Sequence, residues 1–393
     1  VTPLVFFAPC PRGLEAALAD ELRAIGAGVL QTPAGGVRFE GDLRTGLAVN
    51  LHSRLASRVL QQVAHAPYRD EDDLHRIAHD TEWERWHVPL ASLRVDTTAT
   101  GAPVRSLQFA TLRIKDGLVD RLRERFGERP SIERQRPDRR VFAFLDAQRC
   151  TLYLDWSGES LFKRGWRHDA SDAPLKENLA AGLLALAGWT PGAPLLDPFC
   201  GSGTIVIEAA QIAAGVPPGA RRRFAFERMK DFDRPAWDAM RRVEPRPAPG
   251  AASIFGSDVS VAAIAAARAN LARSGVDAGW VALRQVDALH LDAAPAPTGL
   301  LVANPPYGER LDVGGRQSLA QADRFWPAFA TLLKQRFAGW SACLFTSDLE
   351  LPRRLRLKPS RRTPLFNGAL ECRLFRFEMV AGSARRAPGD EPG

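Results

Sequence analysis

Apolar positions along the first 160 residues switch between a period of two and a period near 3.6, which predicts a mixed run of strands and helices. Residues 3–8 (PLVFFA) form a predicted strand. Residues 13–25 form a predicted helix with Leu14, Leu18, Leu22 and Ile25 on one face, and 36–39 a second strand after the turn at 33–36. Helical spacing continues through 42–60 and returns at 74–83. A strand at 93–98, a helix at 111–126, and strands at 141–145 and 150–156 joined by a short turn complete an α+β arrangement.

From residue 161 the pattern changes. Pro174 opens an alanine- and leucine-rich helix, and 195–210 (LLDPFCGSGTIVIEAA) predicts a strand, a glycine-spaced turn and a helix. Strands at 253–258, 281–287, 300–304 and 341–346 then alternate with helices at 261–273 and 323–336. Such alternation argues for an α/β domain with a doubly wound, mostly parallel sheet. The β-rich stretches 355–357 and 372–379 are expected to close one edge. A Pro-, Gly- and Arg-rich excursion at 214–251 carries Arg221, Arg222 and Arg223 beside Phe224, Phe226, Phe232 and Trp237, and is expected to be functional or to cover the sheet edge. Residues 383–393 are expected to be a disordered tail.

Composition fits a soluble globular protein of two or three domains: 393 residues, 45% hydrophobic and 25% charged. A net charge of +8 favours a polyanionic partner such as nucleic acid. Only six of the 53 basic residues are lysine, so an arginine-rich base composition accounts for part of that charge. Five cysteines without a C-x-x-C pair argue against a zinc ribbon or a disulfide framework, and a reducing, cytoplasmic setting is expected. The start VTPLVFFAPC lacks a basic n-region and is too short to span a bilayer, so neither a signal peptide nor a membrane span is expected. His75 and His79 lie one helical turn apart, but no third ligand or H-E-x-x-H accompanies them; an exposed helix face explains them, and no metal is expected. The loop 128–140 holds Arg129, Arg134, Arg136, Arg139 and Arg140. These side chains suit a phosphate backbone, and equally a solvated loop shared with Glu128, Glu133 and Asp138.

Candidate chemistry sits at strand ends, where doubly wound sheets bind ligands. Asp197, Asp258, Asp287 and Asn304 end four predicted strands. A carboxylate after the second strand suits a ribose diol and the next an adenine amine, which implies a nucleoside-bearing cofactor. NAD is the first rival. The turn is C-G-S-G-T, however, and the ribose acid lies 55 residues after Gly203 instead of about 20. No Gly-Lys-Ser/Thr closes the turn, which demotes a P-loop. Asn304, Pro305, Pro306 and Tyr307 supply what methyl transfer to an exocyclic nitrogen requires. Two acceptors hold the amino group and an aromatic ring stacks on the base, in a motif stiffened by prolines.

DPFCGSGT (197–204), SDVS (257–260), VDA (286–288) and NPPYGERL (304–311), with KRGWR (163–167) and APLKENLAAGLL (173–184), resemble the THUMP-domain family of class I S-adenosylmethionine-dependent RNA guanine-N2 methyltransferases. RGLEAALADEL (12–22), GGVRFEGD (35–42) and SRLASRVL (53–60) are similar to that family's start, and the likeness is strongest to bacterial 23S ribosomal RNA members. The resemblance implies a ferredoxin-like region at 1–55, a THUMP RNA-binding domain at 56–160 and a Rossmann-like class I methyltransferase domain at 161–382. It implies S-adenosylmethionine as cofactor, lined by Asp197, Pro198, Cys200, Gly201, Ser202, Gly203 and Thr204 at the methionine end, with Asp197 near the ammonium. Asp258 and Val259 would border the ribose, Asp287 and Ala288 the adenine, and Lys176 and Asn178 the pocket's edge. Asn304 and the Pro305 carbonyl would hold a flipped guanine under Tyr307. Arg134, Arg136, Arg139, Arg140, Arg164 and Arg167 are candidate RNA contacts. Some members fuse a second methyltransferase domain, so this chain is expected to be a short member or a fragment. Transfer RNA as substrate, adenine-N6 as target, and an RNA-binding module with a vestigial cofactor pocket stand as alternatives.

Overall fold

A computed structural model describes residues 3–89, 91–167, 175–230, 232–306 and 319–380, without the side chains of 319–323. Pro174, Tyr307 and the expected tail at 383–393 fall outside the described residues. The chain divides into two compact units. One comprises Val1–Cys10, Leu14–Arg164 and Pro217–Val243; the other comprises Pro11–Gly13, Gly165–Val216 and Glu244–Gly393.

The first unit is built on β1 (Leu4–Pro9), α1 (Glu15–Ile25), β2 (Gly28–Gln31), β3 (Gly36–Gly41), α2 (Leu43–His52), β4 (Leu60–Pro67), α3 (Glu71–Asp80), β5 (Leu93–Ala99), α4 (Leu107–Phe126), β6 (Arg139–Leu145) and β7 (Arg149–Asp155). Helix starts follow local chemistry. Asp42, Asp70 and Ser106 accept backbone N–H bonds from the first turns of α2, α3 and α4, while Gly26 ends α1 in the left-handed conformation. All seven strands join one sheet, ordered β2-β3-β1-β4-β7-β6-β5. Strand β4 links its halves by pairing antiparallel with both β1 and β7. The 42–60 stretch expected as continuous helix is therefore a ten-residue helix, a loop and the start of a strand. Leu51, Leu55, Ala56 and Val59 keep helical spacing past the end of α2 and are all buried, so the apolar repeat outruns the helix. Apolar residues of α3 and α4 pack on β5–β7 around Ile114, Leu118, Val141 and Leu152, all at most 1% exposed.

The second unit contains α5 (Glu177–Ala187), β8 (Leu195–Asp197) and α6 (Thr204–Ala214). The chain then makes its excursion through α7 (Arg234–Arg241), which folds with the first unit. β9 (Ile254–Asp258), α8 (Val261–Arg273), β10 (Val281–Gln285), β11 (Gly299–Ala303), α9 (Leu319–Arg336), β12 (Trp340–Thr346), α10 (Leu351–Leu355), β13 (Arg361–Asn367) and β14 (Leu370–Glu378) follow. Their sheet runs β10-β9-β8-β11-β12-β14-β13; the first five strands are parallel, and the β13–β14 hairpin adds antiparallel to β12. The expected edge strand at 355–357 is displaced. Residues 351–355 are helical with Pro352 in the first turn, and the closing pair is 361–367 with 370–378. Because β8 feeds β9 and β10 on one side before the chain returns to β11 on the other, the order reverses between β8 and β11. That gap is where an open α/β sheet holds its ligand.

Excursion residues 217–243 have a clear physical attachment to the first unit. Phe224, Phe226 and Trp237 form a ring cluster with centroids 4.8–5.5 Å apart, and Phe226 reaches Trp156 at 6.1 Å. Buried Arg222 donates to the carbonyls of Ser157, Glu159, Ser160 and Lys163. Gly219 sits so close to Leu51 that a Cβ would lie 2.9 Å from its backbone.

Candidate active site

Strand register carries the four polar residues into a row across the second unit's sheet. Asp197 is level with Gly256 on β9, Gln285 with Asp258, and Leu301 with Leu196, so Asp287, Asp258, Asp197 and Asn304 belong to four successive strands. At about 4.8 Å per strand the row spans roughly 14 Å. All four sit at carboxyl ends. Asp287 lies two residues beyond β10, where its carboxylate accepts the Leu289 N–H at 2.9 Å and caps a single 3-10 turn. Its neighbour Ala288 is buried in the apolar core, whereas Val259 is 58% exposed.

Between β8 and α6 the glycine turn is held from several sides. Gly203 has φ +87° and precedes α6; a Cβ there would stand 3.1 Å from Ala267 on α8, so glycine is needed for helix packing as well as for the turn. Gly201, at φ +52°, has open space where a Cβ would point. Its N–H donates to Asp258 Oδ2 at 3.0 Å, while the Ser260 N–H donates to Oδ1 at 2.9 Å. The Cys200 N–H bonds the Ser257 carbonyl at 2.9 Å, and Cys200 and Pro198 are buried. Burial and the nearby Asp197 and Asp258 charges raise the Cys200 thiol far above its ordinary value, so it is an inert packing group.

Arg167 is the main surprise. It donates to Ser202 Oγ at 2.8 Å, Thr204 Oγ1 at 2.7 Å and Glu177 Oε1 at 2.9 Å. The guanidinium thus ties the glycine turn to the first residue of α5, flanked by exposed Lys176 and buried Asn178. Asn270 on α8 adds a bond from Nδ2 to the Ser202 carbonyl at 3.0 Å. Sequence reading missed Glu177 and Asn270. The available signals were an acid at helix position N1 three residues after a proline and an asparagine inside an alanine-rich helix.

Asp197 is 2% exposed and accepts the Phe199 N–H at 3.1 Å; among the described residues no basic side chain pairs with it. Burial, reinforced by the Asp258 charge, pushes its carboxyl up to about 8. A buried acid in that neutral state ionises when a cation is brought against it, because the opposite charge offsets the cost of burial. At the far end of the row, Asn304 Oδ1 is buried without a hydrogen-bond partner among the described residues, next to buried Pro305 and half-buried Pro306. An acceptor left unsatisfied in the interior costs about 1–3 kcal/mol, and its position at a strand end marks it for a donor that the described residues do not supply.

The arginines proposed for RNA separate by exposure. Arg134 and Arg136 are exposed and Arg140 is half-buried. Arg139 is 1% exposed and donates to the carbonyls of Trp86, Asp138 and Arg228; Arg164 is 2% exposed and donates to those of Leu161 and Arg54. Arg139 and Arg164 therefore satisfy backbone inside the fold, and Arg167 braces the glycine turn. His75 and His79 do not form an open helix face: they reach Asp120 at 3.2 Å and Glu124 at 3.1 Å on α4.

Comparison with known proteins identifies these parts. Residues 5–60 match the RlmL ferredoxin-like domain, 68–155 the THUMP domain, and 164–376 the RMKL-like methyltransferase domain. Over 96% of its length the chain is 40% identical to the ribosomal RNA large subunit methyltransferase K/L of Syntrophotalea carbinolica, covering 54% of that protein. It spans about half the length of the curated relatives it matches. Among solved structures, SMU.472, a putative methyltransferase complexed with SAH, is 27% identical with a TM-score of 0.82, over 96% of this chain and 98% of that one. A predicted N6-adenine-specific DNA methylase from Listeria monocytogenes is also 27% identical, with a TM-score of 0.84 over 96% of each chain. The chain belongs to the RMKL-like methyltransferase family, with its catalytic domain preceded by RlmL-type ferredoxin-like and THUMP domains.

Proposed function

We propose that this chain methylates the exocyclic N2 of a guanine in RNA, most directly 23S ribosomal RNA, using S-adenosylmethionine. The observation that carries the reading is the buried Asn304 acceptor, without a partner among the described residues, at a strand end in the same sheet as Asp197, Asp258 and Asp287. S-adenosylmethionine, when bound, supplies the electrophilic methyl group. Asp197 suits its ammonium, Gly201 leaves room for close backbone approach, Asp258 accepts from ribose hydroxyls and Asp287 from the adenine amine. Buried Asp197, which has no basic partner among the described residues, ionises most readily when a cation such as the cofactor's ammonium arrives beside it.

Asn304 Oδ1 and the Pro305 carbonyl accept from the two N–H groups of the target amine. Those bonds favour the pyramidal nitrogen whose lone pair faces the methyl donor, so they strengthen as the transition state forms. Proton loss from nitrogen follows transfer and needs no strong base. The THUMP module and the ribosomal RNA relatives support RNA as substrate.

The test is methyl transfer from labelled S-adenosylmethionine to unmodified large-subunit ribosomal RNA, with nucleosides identified by mass spectrometry. N2-methylguanosine is expected. N6-methyladenosine would transfer the chain to the adenine class, and absence of methylated nucleoside would overturn the enzymatic reading.

A further inference from the structure

The first unit contains a cavity of about 590 Å3 walled by chain segments distant in sequence, including 135–140, 157–160 and the excursion residues 223–225. Its volume falls within the range of about 300–1,000 Å3 typical of ligand sites. Arg58, Arg136, Arg140, Lys163, Arg223 and Arg228 line it, against the carboxylates of Asp138 and Glu159.

These cations are not equally committed. Arg58 is engaged with fully buried Asp155 at 2.5 Å and belongs to the floor. Arg228 pairs with Asp138 at 2.6 Å and Lys163 with Glu159 at 2.6 Å, both at exposed positions where such pairs are weak. Arg136, by contrast, has no ion pair among the described residues. Arg140 comes within 3.1 Å of Asp96, yet its Nε makes no hydrogen bond among the described residues. Arg223 is 82% exposed and stands 3.5 Å from Glu227, whose carboxylate Arg234 already holds at 2.8 Å. Three guanidinium groups from two separate segments therefore bring unspent donors to one cavity.

Planar forks of this kind recognise the paired oxygens of a phosphate. Among the described residues no exposed aromatic ring lines the wall, since Phe224 is 3% exposed and stacked within its own cluster. The cavity consequently lacks a platform for stacking a base. We infer that it holds a backbone phosphodiester of the RNA substrate, with the excursion from the methyltransferase half supplying Arg223 and Arg228 as one wall. The contact fixes register on the RNA and reads no sequence. This inference rests on RNA being the substrate.

The experiment measures binding of the full chain to a fluorescent transcript of unmodified large-subunit ribosomal RNA across a salt series. Arg136→Gln with Arg223→Gln is expected to weaken binding at least 10-fold. The plot of log affinity against log salt should become shallower by about 0.7 for each lost single-strand phosphate contact. The thermal midpoint and S-adenosylhomocysteine affinity should not change. Unchanged affinity and slope would overturn the inference while leaving the methyltransferase reading intact. Failure of the unaltered chain to bind RNA would overturn both. Inorganic phosphate or pyrophosphate binding that depends on these arginines, with RNA affinity insensitive to them, would assign the cavity to a free anion and overturn the RNA contact. If the double variant loses its thermal transition, Arg136→Gln alone decides, with half the change in slope expected.

Discussion

Arg167 donates to Ser202 Oγ at 2.8 Å, so a residue 35 positions upstream sets the shape of the glycine turn. With Thr204 and Glu177 as its other partners, the planar group satisfies three directions at once. A lysine ammonium keeps the charge but cannot reproduce that fork. Arg167→Lys should therefore weaken S-adenosylhomocysteine binding roughly 10-fold, corresponding to about 1.4 kcal/mol. In steady state the loss should fall on the cofactor KM more than on kcat, with RNA affinity unchanged. Calorimetry together with RNA titration checks this, and loss of RNA affinity with intact cofactor binding would return Arg167 to the RNA surface.

With the proposed role at the cofactor's ammonium, Asp197 would set cofactor binding against stability. Its carboxyl is pushed up to about 8 by burial and the Asp258 charge, whereas an unfolded aspartate ionises near 3.9. The folded chain therefore holds an extra proton between those values. Its stabilising contribution is fully present below about 4 and falls by up to about 1.4 kcal/mol per pH unit until about 8. Asp197→Asn removes this dependence and keeps an acceptor for the Phe199 N–H, so its thermal midpoint should exceed that of the parent at pH 8 and converge with it at pH 4. Cofactor affinity should rise with pH toward 8 in the parent and be flat and weak in the variant. Parallel pH profiles of the two proteins would refute the assignment.

Much of the second unit was legible because strand ends carry their chemistry in sequence. A short apolar run followed by Asp, or by Asn-Pro-Pro, marks both the element and its outward edge. The first unit was less legible where helical spacing outran the helix, as at Leu55, Ala56 and Val59, and where pairing was non-local, as in the β5–β6 parallel pair. Arginine was the least readable residue. Arg139, Arg164 and Arg167 lie in Arg-rich stretches, as Arg136 does, yet backbone carbonyls or hydroxyls engage the first three while Arg136 is exposed. Nothing local distinguishes a guanidinium that will satisfy the interior from one that will meet a ligand. Only the fold decides which carbonyls are left without donors.

His79 reports on the α3–α4 contact. Its hydrogen bond to Glu124 raises its pKa above the usual histidine range, outweighing partial burial. The stabilising contribution is therefore fully present below the ordinary value near 6.5 and disappears as pH rises through the raised folded value. Glu124→Gln should lower the His79 titration midpoint in NMR spectra, with a stability change of about 0.2–1 kcal/mol at this partly exposed pair. An unmoved midpoint would contradict the pairing.

Asn304→Ala separates a catalytic acceptor from a structural one. Because Oδ1 has no partner among the described residues, its removal breaks no hydrogen bond within them and relieves an unsatisfied buried group. The thermal midpoint should hold or rise. Cofactor affinity should stay within 2-fold, since Asn304 is placed at the amine end of the row, beyond the residues assigned to cofactor. The methyl-transfer rate should nonetheless fall about 100- to 1,000-fold, the range for losing one group that stabilises a transition state. Single-turnover measurement with saturating cofactor and RNA isolates that step from binding. A variant that retained the rate would remove Asn304 from the chemistry. One that lost both rate and thermal stability would make it a structural residue whose acceptor serves the fold.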